Sequence, residues 1–282
     1  MKLCRFTQDG TTRIGKVIGD AVIDLSHVPG VTGSMRALLT GLPDLRPALE
    51  AAESPSFPLA SVRLEAPIDD PRKYLAIGMN YAAHAAEAAA AGISVPKSQL
   101  WFNKQVSCIS GPYDALDLPK VSDKVDYEAE LAFVIGTRCH DVAEADALRV
   151  IAGYMVCNDV TVRDWQARSP TYTLGKSFDT HGPIGPWITT ADEIPDPYAL
   201  TMRLEVNGEK RQESSTGDMI YNIQQQIAYL TTVMTLEPGD IIATGTPSGV
   251  GIAEGRFLRD GDEVTVSIEG LGTISNRCVA EA

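Results

Sequence analysis

The sequence predicts an α+β, mainly β fold, with a small β-rich N-terminal module over residues 1–66 and a larger domain over 67–282. Three observations predict it. Period-2 segments outnumber helical ones. A single long stretch carries large apolar residues at helical spacing. The regular strand–helix–strand alternation of a parallel sheet is missing.

The elements follow in order. Lys2–Thr7 alternate, Asp9-Gly10 supplies a turn, Arg13–Ile18 alternate again, and Gly19-Asp20 leads into Ala21–Leu25, giving a three-strand meander. Met35–Leu39 and Leu45–Ala52 read as short helices broken by Gly41 and Pro43, and Pro55 and Pro58 mark a linker. Tyr74–Gly78 is a short apolar strand. Asn80 is placed to cap an alanine-rich helix running through Ala91, with Gly92 just past its end. Val125–Ile135 reads as one strand, Ala143–Ala152 as helix and Tyr154–Val160 as strand. Leu200–Asn207 and Lys210–Ser215 flank Asn207-Gly208, a strong hairpin signal. Met219, Ile220, Ile223, Ile227, Leu230 and Met234 predict one amphipathic helix over 218–234, with its apolar stripe in the core. Asp240–Thr244 is a strand after Pro238-Gly239, and Glu263–Ile268 with Thr273–Val279 closes the chain as a hairpin.

Composition narrows the partners. The chain of 282 residues is 44% hydrophobic and 22% charged, which fits an ordinary globular protein. Its 24 basic against 37 acidic residues leave a net charge of −13, which repels polyanions and argues against nucleic acid as a partner. A small anionic substrate stays open, because a metal or lysine reverses the sign locally. Apolar runs such as Leu131–Gly136 fall far short of the ~20 residues of a membrane span, so no membrane partner is expected. Met1-Lys2-Leu3-Cys4-Arg5 does not open a signal peptide, and a cytoplasmic location is expected. Five cysteines, an odd number with no CxxC spacing, argue against a disulfide framework or zinc knuckle.

The sharpest chemical signal is the segment Val125–Ile135. Period 2 puts Asp126, Glu128 and Glu130 on one face, with Tyr127, Ala129, Leu131 and Phe133 on the other. Carboxylates about 6–7 Å apart along one strand face repel when they converge, and one takes up a proton unless a cation lies between them. A hard divalent cation such as Mg²⁺, held by oxygen ligands, resolves that conflict. The alternative is a solvated strand face, but the direct passage into Leu-Ala-Phe-Val-Ile suggests a strand entering a core. Asp159, at the end of a second strand, is a candidate third ligand. His84 and Glu87 stand at i and i+3 on the alanine-rich helix, where a carboxylate raises imidazole basicity and fits the ring for general-base work. That helix is short and weakly anchored, as a mobile lid would be. Lys176 enters a Gly/Pro-shaped loop through Pro186, and Thr244–Gly251 forms a second. The second loop lacks the P-loop ending and dinucleotide spacing, and Ser248 is not in a Gly-x-Ser-x-Gly elbow, so nucleotide binding and serine hydrolysis are disfavoured. Its backbone N–H groups suit a carboxylate.

Together, Ile77–His84, Val125–Leu131, Asn158–Gln166, Gly175–Pro183 and Thr244–Gly251 resemble the fumarylacetoacetate hydrolase family in order and spacing, over about residues 67–275. The resemblance implies a mixed β-sandwich roll as the catalytic domain, a variable N-terminal module and a homodimer. It implies Mg²⁺ or Mn²⁺ on Glu128, Glu130 and Asp159, with Asp126 behind the ligands. It makes His84, oriented by Glu87, the base, and Lys176 the group that stabilises a developing enolate. Arg163, Gln166 and Thr246 match substrate-contacting positions, and Lys104 matches a lysine near the pocket. The implied partner is a small anionic 2-oxo acid. The favoured reaction is hydrolysis of a C–C bond in an acylpyruvate-like or 2,4-dioxo acid, because the complete His84/Glu87 pair suits water activation. Decarboxylation of an oxaloacetate-type acid and isomerisation are the alternatives within the family, and a structural metal-binding protein is the alternative outside enzymes.

Overall fold

The computed structural model of the chain describes residues 1–90, 92 and 94–281. Strands β1 (Lys2–Gln8), β2 (Thr11–Ile18) and β3 (Ala21–Asp24) form the expected antiparallel meander. Helix α1 (Met35–Thr40) is capped by the Ser34 side chain and ends at Gly41. Helix α2 (Leu42–Ala51) starts three residues earlier than the expected Leu45, because Pro43 lies in its first turn, where a missing N–H costs no intrahelical bond. Helix α1 buries Leu38 and Leu39, and α2 buries Leu42 and Leu49. Strand β4 (Ser56–Pro58) then pairs with β3, and β5 (Arg63–Glu65) with β1.

The larger part runs through β6 (Tyr74–Gly78), α3 (Ala82–Ala90), β7 (Leu100–Lys104), β8 (Ile109–Ser110) and β9 (Leu116–Leu118). The expected end of the alanine-rich helix at Ala91 lies outside the described residues. Next come β10 (Val125–Asp126), β11 (Ala129–Ile135), β12 (Ile151–Asn158), β13 (Thr161–Val162), α4 (Arg163–Gln166) and β14 (Gly182–Thr190). The chain closes with β15 (Thr201–Val206), β16 (Glu209–Ser215), α5 (Ile223–Val233), β17 (Ile241–Ala243), α6 (Gly251–Glu254), β18 (Glu263–Ile268) and β19 (Gly272–Ala280).

Twelve strands make the main sheet, in the order β4-β3-β2-β1-β14-β12-β11-β17-β6-β7, with β5 on β1 and β8 on β14. Because β8 follows β7 in the chain and pairs with β14, the stretch from β14 to β7 rolls back on itself. A five-stranded sheet, β16-β15-β18-β19-β9, covers one face. The period-2 pattern of β11 explains the layering. Leu131 and Phe133 pack with Met202, Leu204, Val264 and Val266 of the second sheet. Ala132 and Val134 pack inside the roll with Tyr74, Met155 and Ala243. This is the mixed β-sandwich roll.

The strands of residues 1–66 extend this sheet rather than forming one of their own. Lys2 and Leu3 pair with Thr189 and Ile188, and Leu3 shares a core with Ile184 and Ala132.

Three expected elements differ. The strand expected over Val125–Ile135 is broken at Tyr127-Glu128, where side chains replace strand partners: Glu128 N donates to Asn158 Oδ1 and Ala129 N to Gln212 Oε1, both at 2.9 Å. The helix expected over Ala143–Ala152 is a 3₁₀ segment, Glu144–Val150, and Ile151 already belongs to β12. The helix expected over 218–234 starts only at Ile223, because Asn222 and Gln225 form a reciprocal capping box. Among the described residues no helix is long and apolar enough to cross a membrane.

Candidate metal centre and active-site cavity

Several strand ends meet at one mouth of the roll. Ala129 at the start of β11 is in register with Asn158 at the end of β12, and the ends of β6 and β17 lie beside them. This register brings Glu128, Glu130 and Asp159 together, and Asp159 N donates to Glu128 O at 2.9 Å to close the corner. All three side chains are buried, and a carboxylate oxygen from each lies within 4.8 Å of the others.

Every carboxylate is held by a donor from elsewhere in the chain. Lys176 Nζ lies 2.7 Å from both Glu128 Oε2 and Asp159 Oδ2. Arg163 Nη1 reaches Glu128 Oε1 at 2.7 Å. Gly245 N donates to Glu130 Oε2 at 2.7 Å. Lys104 Nζ holds Asp159 Oδ1 at 2.7 Å.

The electrostatics separate the two glutamates. Burial pushes Glu128 towards protonation, but Lys176 and Arg163 outweigh it and hold the group at about 2. Burial raises Glu130 well above the ordinary carboxylate range, and the neighbouring charges of Asp159 and Glu128 raise it further. Three converging, buried carboxylates with an all-oxygen donor set fit a hard divalent cation, which relieves this repulsion. The residues therefore suit Mg²⁺ or Mn²⁺.

A cavity of about 320 Å³ opens over the acidic cluster. Glu128, Glu130, Arg163 and Lys176 line its charged side, and Gln166 and Thr246 line the same space. His84 and Glu87 on α3 line it too. His84 Nδ1 is 3.1 Å from Glu87 Oε2, so the i, i+3 pair read from the sequence is formed. Glu87 Oε1 accepts from Gly249 N at 3.3 Å, which ties α3 to the glycine-rich loop. Arg163 also donates to Gln166 Oε1 at 3.1 Å.

Two residues sit differently from the expectation. Lys104, expected beside the substrate, does not line the cavity. Its fully buried ammonium is spent on Asp159 Oδ1, Val160 O and Lys176 O. Burial alone would strip its proton, but Asp159 holds the ammonium above its ordinary range. Asp126, expected on the same strand face as Glu128 and Glu130, is separated from them by the break in the strand. It accepts from Arg163 Nε and Gly251 N at 2.7 Å and from Ile252 N at 2.9 Å.

Two supporting residues escaped sequence reasoning. Gln212 on β16 accepts from Ala129 N and donates to Thr246 Oγ1 and Pro247 O, each at 2.9 Å, linking β11 to the Thr244–Gly251 loop. Asn80, expected as a helix cap, instead donates to Thr244 O at 2.8 Å and Tyr221 O at 3.0 Å. The signal for Asn80 was its place in the family motif, and Gln212 had none, being one polar residue in an alternating strand. The apolar lining from Ile77, Met79, Leu100, Phe102, Tyr172 and Ile252 was also missed.

The chain is similar to known proteins over its whole length. Residues 73–279 match the family described as fumarylacetoacetate (FAA) hydrolase C-terminal. A protein of Burkholderia cenocepacia strain HI2424, assigned provisionally as a hydrolase, is 46% identical over 96% of each chain. Among solved structures, maleylpyruvate hydrolase from Sphingobium sp. SYK-6, in complex with manganese(II) and pyruvate, has a TM-score of 0.86 and 37% identity over 100% of both chains. The 5-carboxymethyl-2-hydroxymuconate delta-isomerase of Mycobacterium smegmatis has a TM-score of 0.81 and 35% identity over 100% of both chains. The chain belongs to the fumarylacetoacetate hydrolase family of hydrolases and isomerases.

Proposed function

We propose that the protein is a metal-dependent hydrolase that cleaves an acylpyruvate-like 2,4-dioxo acid to pyruvate and a carboxylic acid. The observation that carries this reading is the His84–Glu87 pair lining the same cavity as the Glu128/Glu130 carboxylates. Pyruvate and manganese bound in the maleylpyruvate hydrolase relative support the ligand class.

Glu128, Glu130 and Asp159 would hold the Mg²⁺ or Mn²⁺. The cation supplies Lewis-acid stabilisation of negative charge developing on the 2-oxo acid. Glu87 fixes the imidazole through Nδ1 and leaves Nε2 as the basic atom. His84 takes a proton from water, whose oxygen attacks the C4 carbonyl carbon. The C3–C4 bond breaks, its electron pair passes into the pyruvate enolate, and C3 takes up a proton. Lys176, whose ammonium lines the cavity beside Glu128 and Asp159, would offset that developing charge. Thr246 accepts from Gln212 through Oγ1, so its own hydroxyl proton remains to donate to the substrate carboxylate.

The reading is tested on chelator-stripped protein with and without Mg²⁺ or Mn²⁺, following butanoylpyruvate and oxaloacetate in parallel against a metal-only blank. Metal-dependent pyruvate plus butanoate supports it. Carbon dioxide from oxaloacetate alone replaces it with decarboxylation.

A further inference from the structure

Resting on the 2-oxo acid reading above, we infer that the group at the far end of the substrate is neutral and apolar, and that a second carboxylate there is rejected. This rests on the charges that line the cavity. Its cationic side chains among the described residues are His84, Arg163 and Lys176. Each already has an acidic partner: Glu87 for His84, Asp126 and Glu128 for Arg163, and Glu128 and Asp159 for Lys176. Arg163 Nη2, buried and without a hydrogen-bond partner, belongs to the guanidinium that Glu128 holds, so it lies at the acidic end, where the first carboxylate of a 2-oxo acid belongs; His84 Nε2 is also free, but it is the basic atom of the proposed reaction.

Apart from Gln166 and Thr246, most of the remaining wall is apolar. Ile77, Met79, Leu100 and Phe102 come from the β6–β7 side, and Ile252 and Ala253 from α6. Tyr172 packs edge-on against Phe102, with ring centroids 5.9 Å apart, and extends this surface. A carboxylate against that wall would lose its water and gain no cation, whereas each buried methylene is favourable.

Binding to the Mn²⁺-loaded protein, measured by calorimetry, tests the inference without turnover. The probes are 2-oxobutanoate, 2-oxohexanoate and 2-oxoadipate. Affinity is expected to rise about fourfold for each added methylene, and 2-oxohexanoate to bind at least tenfold more tightly than 2-oxoadipate. Leu100→Arg should narrow or reverse that ratio by adding a cation to the wall. Equal or tighter binding of 2-oxoadipate by the wild type overturns the inference. Hydrolysis of butanoylpyruvate and fumarylpyruvate is measured separately. Alkyl preference without cleavage would leave the tail inference standing and remove the hydrolase reading. Faster cleavage of fumarylpyruvate would do the reverse, and failure of every 2-oxo acid to bind would overturn both.

Discussion

Lys104 Nζ lies 2.7 Å from Asp159 Oδ1, while the other oxygen of Asp159 meets Lys176 Nζ at 2.7 Å. The carboxylate is thus gripped from both sides, and Lys104, one residue of β7, sets the orientation of a carboxylate that follows β12. Lys104 also donates to the Lys176 carbonyl, so one buried ammonium fixes both the acidic cluster and the base of the lysine loop.

Lys104→Met is therefore expected to destabilise the fold by about 3–5 kcal/mol, because it leaves Asp159 Oδ1 buried without its cation. Urea unfolding checks this. A variant as stable as the wild type would show that the pair is not structural.

Gly245→Ala should lose both stability and metal. Gly245 has φ +94°, and an added Cβ would lie 2.7 Å from Asn80 Cβ. Its N–H holds Glu130. The strain costs about 1–3 kcal/mol, and displacement of Glu130 should weaken Mn²⁺ binding at least tenfold. Gly10→Ala is the control. It also takes positive φ but meets nothing within 4 Å, and its metal binding should be unchanged.

Acid should weaken the fold through His181. Burial lowers this imidazole from 6.5 to about 4, while its Nε2–H donates to Asp117 O at 2.8 Å. The unfolded chain then binds the proton more readily than the folded one between pH 6.5 and 4. Stability is full above 6.5 and falls as pH drops through that window, by about 3 kcal/mol in total. Urea unfolding at pH 7, 5 and 4 should show a shallower loss in His181→Gln, and equal slopes would contradict the assignment.

Metal should stabilise the protein through the acidic cluster. At one hundred times its Kd, Mn²⁺ adds about 2.7 kcal/mol, visible as a rise in Tm. Glu130→Gln should abolish most of that rise, while an exposed substitution such as Glu254→Gln should keep it.

The sequence made much of the site legible because its residues lie in short local patterns. Glu128 and Glu130 are two apart, and His84 and Glu87 share one helical face. Strict alternation groups Asp126 with the two glutamates, but Asn158 and Gln212 side chains interrupt the strand at Tyr127-Glu128. The purpose of Lys104 was hidden because its partner lies 55 residues away. Met219 and Ile220 were drawn into the helix by their spacing, although Asn222 and Gln225 mark the start that the structure adopts. The joining of residues 1–66 to the main sheet depends on the pairing of β1 with β14, which no local pattern announces.

The most direct test of the central claim is hydrolysis of butanoylpyruvate in H₂¹⁸O by Mn²⁺-loaded wild type and His84→Ala, with Mn²⁺ affinity measured alongside. The wild type is expected to give butanoate carrying one solvent oxygen, and the variant to lose about 10²–10⁴ in rate with Mn²⁺ affinity within twofold. Butanoate formed at the wild-type rate by the metal-loaded variant would contradict it.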